Sequence, residues 1–313
     1  MRFTMAAAAI CLMATSAVAE DWYPSPFGAE DQAGRSNLMT PDNTMAAASL
    51  IQTGNVISLG RVMEAEMPLF GSRAFALRGT GGLAGGPLAE NNIIWMDDFL
   101  ATEIGQVGTQ FDGLGHIGIG GKRSQFYNGF DAKDVVGAYG LKKLGIEHVK
   151  PFFTKGILID VAGLEGRMLE AGEEISVAQI EAALEKQGMS ADDITEGAMV
   201  AINTGWGALW IEDNARFNSG CPGIGIEAGE WLAEKGVAVV GADTWPVEVV
   251  PNPNSNLAFP VHQIFIPQNG IFIHENLATE RLAEAGVYQF AYIYSPVPIK
   301  GATGSPGVPL AVY

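Results

Sequence analysis

Three short apolar runs set the fold class. Residues 156–162, Met199–Asn203 and residues 237–240 are rich in Val, Ile and Ala and show no polar alternation, the pattern of strands covered on both faces. Helical signals lie between them. Ser176 stands as an N-cap before Val177, Ile180, Ala183 and Leu184, which fall on one face, and Gly188 ends the pattern. Residues 226–235 read as a second helix stopped by Gly236. Strand, helix, strand in this order predicts an α/β fold. More β-structure is expected near the end, at 270–274, 287–294 and 308–313. No fixed-period repeat and no polar linker divides the chain, so residues 20–313 are expected to form one domain.

The first nineteen residues read as a secretory signal peptide: Arg2, an apolar run from Phe3 to Met13, and the small-x-small ending Ala17-Val18-Ala19. The mature chain is then expected to begin at Glu20, in the periplasm or outside the cell. Cys11 would leave with the leader, so Cys221 has no intrachain partner. With 18 basic against 35 acidic residues, the formal net charge is −17, which argues against nucleic acid and anionic membrane surfaces as partners. No later segment has the unbroken apolar length of a membrane anchor. Thr40 and Pro41 read as a helix start, with Gly54 as its end, and residues 56–62 alternate like a strand. The glycine-rich stretch 79–86 lacks the Gly-Lys-Ser/Thr ending of a phosphate loop and reads as a surface or lid loop.

Residues 106–116 hold the densest chemistry. Gln106, Gln110, Asp112 and His116 are interleaved with Gly108, Gly113 and Gly115, which predicts a strand breaking into a tight buried turn. The segment resembles the signature of the cyclase family that includes bacterial kynurenine formamidase and isatin hydrolase, usually His-x-Gly-Thr-His-x-Asp-x-Pro-x-His. Gly108, Thr109, Asp112 and His116 match in place. Gln106 and Gln110 stand where the family has its first two histidines, and Leu114 where it has proline.

A second motif, a histidine followed by an apolar stretch and Glu-Asn-Leu, is similar to His262 and Glu275-Asn276-Leu277, with an interval one residue longer than usual. Similar stretches run through Pro222, Glu230, Gly236 and Asp243-Thr244, and through residues 300–306. On a strand, neighbouring side chains point to opposite faces, so only one of His274 and Glu275 can face a given site. The resemblance implies that Glu275 does, with His274 turned away. The other histidine, His148, lies in a charged stretch and reads as a surface residue.

The resemblance implies a mixed sheet or open barrel flanked by helices, homodimers or homotetramers, and a metal-dependent hydrolase of a small cyclic amide, aryl formamide or lactone-like substrate. Asp112, His262 and Glu275 would hold one divalent ion, and His116 would be the general acid/base. Gln110 and Gln106 offer amide oxygens in place of imidazoles, so manganese or zinc is expected, with magnesium or calcium also compatible. The alternative is a periplasmic small-molecule binder on a metal-free, decayed site. Cys221 in Ser219-Gly-Cys-Pro-Gly223 reads as a buried structural thiol rather than a nucleophile. Trp95, Trp206 and Trp245 are candidates for the pocket wall.

Overall fold

The computed structural model describes residues 22–80 and 85–313. The expected signal peptide lies outside the described residues, as does the middle of the glycine-rich stretch. A nine-stranded sheet organises the chain. Its strands are β1 (Val56–Ser58), β2 (Gln110–Asp112), β3 (Phe152–Asp160), β4 (Met199–Asn203), β5 (Val239–Ala242), β6 (Phe272–Glu275), β7 (Gln289–Tyr294), β8 (Gly304–Pro306) and β9 (Leu310–Val312). They lie side by side in the order β1-β9-β7-β3-β4-β5-β6-β2-β8. The four central strands, β3 to β6, are parallel to one another. The strands on both flanks join antiparallel. The sheet is therefore mixed, curled and flanked by helices, as the α/β expectation required.

Side-chain alternation sorts the core into two layers. Along β4, Val200 and Ile202 join Ile157, Ile159, Val240 and Ile273 under the helices Val177–Lys186 and Ile226–Glu234. Met199 and Ala201 point the other way, into an aromatic layer with Phe111, Phe152, Phe272, Phe290 and Tyr292. All five β4 residues are buried, which is why the run shows no polar alternation. Helix Val177–Lys186 starts as read: Ser176 and Gln179 form a reciprocal capping box.

Three boundaries differ from expectation. The helix at Pro41 ends at Ala48, where the Ser49 hydroxyl donates to the Ala46 carbonyl (2.6 Å). Gly54 instead serves the following loop, its N–H donating to the Tyr313 carbonyl (2.7 Å). The strand expected over 56–62 stops at Ser58, because the Arg61 N–H turns inward to the Thr109 hydroxyl (2.9 Å). Of the stretch 79–86 only the two ends are described, and there they belong to strands. Gly79 closes one strand and Gly85 opens another in a β-arm built from two antiparallel pairs, Phe75–Gly79 with Asp98–Thr102 and Gly85–Leu88 with Ile93–Trp95. The arm leaves Leu77, Leu88, Ile94 and Met96 more than half exposed. Among the described residues no helix is long and apolar enough to cross a membrane.

Candidate functional site

Register places three of the expected side chains on one face. In the β2–β6 pair Glu275 lies opposite Gln110, Ile273 opposite Asp112, and His274 opposite Phe111. Gln110, Asp112 and Glu275 therefore share the helix-covered face, whereas His274 and Phe111 share the aromatic one. His274 is fully buried there, packs edge-on to Phe111 and bonds the Tyr292 hydroxyl through Nδ1 (2.7 Å). Burial pushes its imidazole down to about 3, so it stays neutral.

The residues around these strands hold them in phase. The Thr109 hydroxyl donates to the Asn276 carbonyl (2.8 Å), and the Asn276 amide donates to the Gly108 carbonyl (2.9 Å). Gly108 has φ +66°, and a Cβ there would meet Met63 Cγ at 2.9 Å. A Cβ on Gly113 would lie 2.8 Å from the Thr303 carbonyl oxygen, so the turn leading to His116 requires glycine for close backbone approach.

His262 arrives from a different element, the short helix Pro260–Gln263. Phe259 precedes it in left-handed conformation, Pro260 takes its first position, and a wider π-turn, Ile264–Gln268, follows. The residue that aims it is Glu248, which sequence reasoning missed. Its carboxylate accepts from the backbone N–H groups of Val261 (3.1 Å) and His262 (3.0 Å), two donors that a helix start leaves without partners. The same carboxylate lies 2.5 Å from His262 Nδ1, which leaves Nε2 to face the site. A lone acid inside the apolar run Pro246-Val-Glu-Val-Val250 was the available signal.

At the centre, His262 Nε2 lies 3.4 Å from Glu275 Oε1 and 4.0 Å from Asp112 Oδ2. One ligand atom from each of the three falls within 4.8 Å of the others, and all three residues are buried. Asp112 Oδ2 and Glu275 Oε1 are buried oxygens with no hydrogen-bond partner among the described residues. Two adjacent carboxylates with orphaned oxygens are costly without a cation. Donors around a single ion at ~2.0–2.2 Å stand roughly 3–4 Å apart, so this donor set fits a divalent metal. Electrostatics agree. Burial and the Asp112 charge push the Glu275 carboxyl up. Burial alone would hold His262 low, yet its bond to Glu248 and the nearby Glu275 carboxylate outweigh that and push it up.

Both glutamines turn their amide nitrogens to Glu275, while Gln106 Oε1 is a buried oxygen without a partner among the described residues. The Gln110 and Gln106 amide nitrogens both donate to Glu275 Oε2, the latter at 2.6 Å, and Gln106 also donates to the Trp245 carbonyl (3.0 Å). The Gln110 oxygen is taken by the Gln106 backbone N–H. An amide nitrogen carries two donors, and each glutamine gives one to Glu275: the second goes to the Trp245 carbonyl from Gln106 and to Asp112 Oδ1 (3.4 Å) from Gln110.

A cavity of about 140 Å³ opens onto this centre. Phe70 stacks on Trp245 (centroids 4.4 Å), and Phe259 meets Trp245 edge-on at 6.1 Å. His116 lines the cavity with its side chain 30% exposed, Nε2 standing 3.8 Å from Asp112 Oδ2. Of the three tryptophans, Trp245 lines the cavity, Trp206 is buried in the same cluster without lining the cavity, and Trp95 lies on the exposed β-arm. His148 is exposed, as expected. Cys221 is fully buried, its thiol donating to the Glu248 carbonyl (3.4 Å), and burial pushes it well above the ordinary thiol range. It has none of the marks of a nucleophile.

The Cyclase family model matches residues 57–249. Among solved structures, one described as a novel cyclase is 31% identical, with 92% of this chain and 98% of that chain covered and a TM-score of 0.82. Isatin hydrolase A from Ralstonia solanacearum is 22% identical over 87% of this chain and 97% of its own, with a TM-score of 0.62. An isatin hydrolase bound to the product analogue thioisatinate is 18% identical over 88% and 100%, with a TM-score of 0.59. These last two likenesses concern the fold. No curated protein sequence matches the chain.

Proposed function

Because this chain belongs to the cyclase family, we propose that it is a metal-dependent hydrolase of a small cyclic amide, aryl formamide or lactone-like compound. The observation that carries this reading is the convergence of Asp112, His262 and Glu275, with two orphaned carboxylate oxygens, at the floor of an aromatic cavity. A divalent ion held there would supply carbonyl polarisation and a more acidic water. Asp112 and Glu275 provide the compensating charge, and His262 provides a nitrogen whose direction Glu248 sets. His116, half-exposed at the cavity wall, is placed to deliver a proton to the leaving nitrogen or oxygen. Phe70, Trp245 and Phe259 shape a slot for a flat substrate. The shared fold with isatin hydrolases puts a cyclic amide first among the candidates.

Elemental analysis of the purified protein, together with hydrolysis assays after chelation and after adding back manganese or zinc, tests this. The expected result is about one metal per chain and turnover that follows it. A second reading has its own observation: both glutamines already donate to Glu275, as they would in a metal-free binder. Tight ligand binding with no metal and no turnover would select that reading. We further propose that the mature chain starts at Glu20, is exported, and forms a homodimer or homotetramer through its apolar β-arm. N-terminal sequencing and light scattering check these points, and a monomer at working concentration would refute the assembly.

A further inference from the structure

The cavity has one feature that the hydrolytic centre does not use. Arg73 lines it, and among the described residues no other Lys or Arg does. Its guanidinium lies 5.7 Å from the Phe70 ring centroid, and Nη1 donates to the Phe70 carbonyl (3.3 Å), which anchors the side chain on the aromatic wall. Among the described residues Arg73 has no carboxylate within ion-pair distance, in a chain with a formal charge of −17. The acid that feels its charge is Glu103, which is exposed and whose carboxylate accepts from the Ala74 N–H (2.7 Å). The guanidinium has five N–H donors in a fixed fork, and one carbonyl uses only part of that capacity.

The other dimension is size. A cavity of ~150 Å³ lined by apolar side chains accommodates one benzene ring, and this one, at about 140 Å³, has the Phe70–Trp245 stack along its wall. We propose that Arg73 forms an anion-recognition subsite, so that the preferred substrate is a single-ring aromatic compound bearing a carboxylate or similar anion away from the scissile bond. This rests on the hydrolase reading for the word substrate, but the subsite is a binding claim that stands apart from turnover. A charge-assisted, two-pronged contact at the mouth also offsets the repulsion that an anion meets in approaching an acidic protein.

The test is binding to the purified protein, read by isothermal titration calorimetry. Benzenesulfonate is an anion that ligates metals poorly, and methyl phenyl sulfone is its neutral counterpart. Wild type is expected to bind the sulfonate about tenfold more tightly than the sulfone. Arg73→Met should erase that difference while leaving sulfone affinity within about twofold, and Arg73→Lys should restore part of it. Equal affinities in wild type, a preference that survives in Arg73→Met, or no binding of either compound would overturn the subsite. If the subsite holds but 4-formamidobenzoate, formanilide and a panel of cyclic amides and lactones are all left intact by the metal-loaded protein, the hydrolase reading fails alone. If 4-formamidobenzoate and formanilide are cleaved with equal kcat/KM, the subsite fails alone.

Discussion

Glu248→Gln is the sharpest probe of how the centre is held. The wild-type carboxylate faces three nitrogens, Val261 N, His262 N and His262 Nδ1, at 3.1, 3.0 and 2.5 Å, and the residue is 1% exposed. Glutamine is nearly isosteric, but one of its two terminal atoms is a donor. It must therefore oppose an N–H group or release the imidazole. Leaving one buried donor unpaired costs about 1–3 kcal/mol. In a chain of this size that corresponds to a fall in Tm of about 2–5 °C. The larger effect should be on metal. Losing the partner that orients a ligating imidazole typically weakens binding about 10–100-fold. Isothermal titration with manganese and zinc measures the affinity, and near-UV circular dichroism confirms that the fold persists. A folded Glu248→Gln protein with metal affinity within twofold of wild type would refute the orienting role.

Asp112→Asn keeps the shape of the site but removes one of its two central anions, so metal retention by elemental analysis and hydrolysis should be lost together. His116→Ala should separate them, leaving metal content unchanged while kcat falls about 10²–10⁴-fold. Protons compete with the metal, because His262 and Glu275 both hold protons to higher pH in the metal-free fold than in the unfolded chain. Groups with raised folded-state pKa values stabilise the metal-free protein below their unfolded values and lose that contribution as pH rises through the folded ones. Metal-free Tm should therefore fall between pH 7 and 9.5, and the Tm gain on adding manganese should grow over the same range. A gain that shrinks with pH would contradict this assignment.

Much of the site was legible because strand periodicity is short-range. Once Glu275 faces the site, His274 cannot, and a glycine-rich break after Asp112 announces a tight turn. The buried runs at Met199–Asn203 and residues 237–240 were equally plain, since strands covered on both faces leave no polar positions. Glu248 was harder. Its three partners lie on a helix thirteen to fourteen residues away, and nothing in an apolar run says which acid will meet which helix start. The glutamines were identified as site residues, but which end of each amide faces Glu275 depends on packing. The β-arm escaped notice because its glycines mark strand ends there, while they read locally as a loop. Phe70 and Arg73 reach the cavity only because the chain entering that arm passes over it.

The π-turn at Ile264–Gln268 bears on how this chain should be aligned with its relatives. The motif resemblance implies an interval from His262 to Glu275 one residue longer than the usual spacing. In a strand, one extra residue would invert the phase, bringing His274 into the site and Glu275 into the aromatic layer. A hydrogen bond spanning five residues instead of four takes up one more residue per turn, before the strand begins. The surplus is thus absorbed where it rotates nothing downstream. A gap opened to accommodate it belongs within 264–268, not next to Glu275, and an alignment that puts it at the strand would pair the wrong side chains across the family.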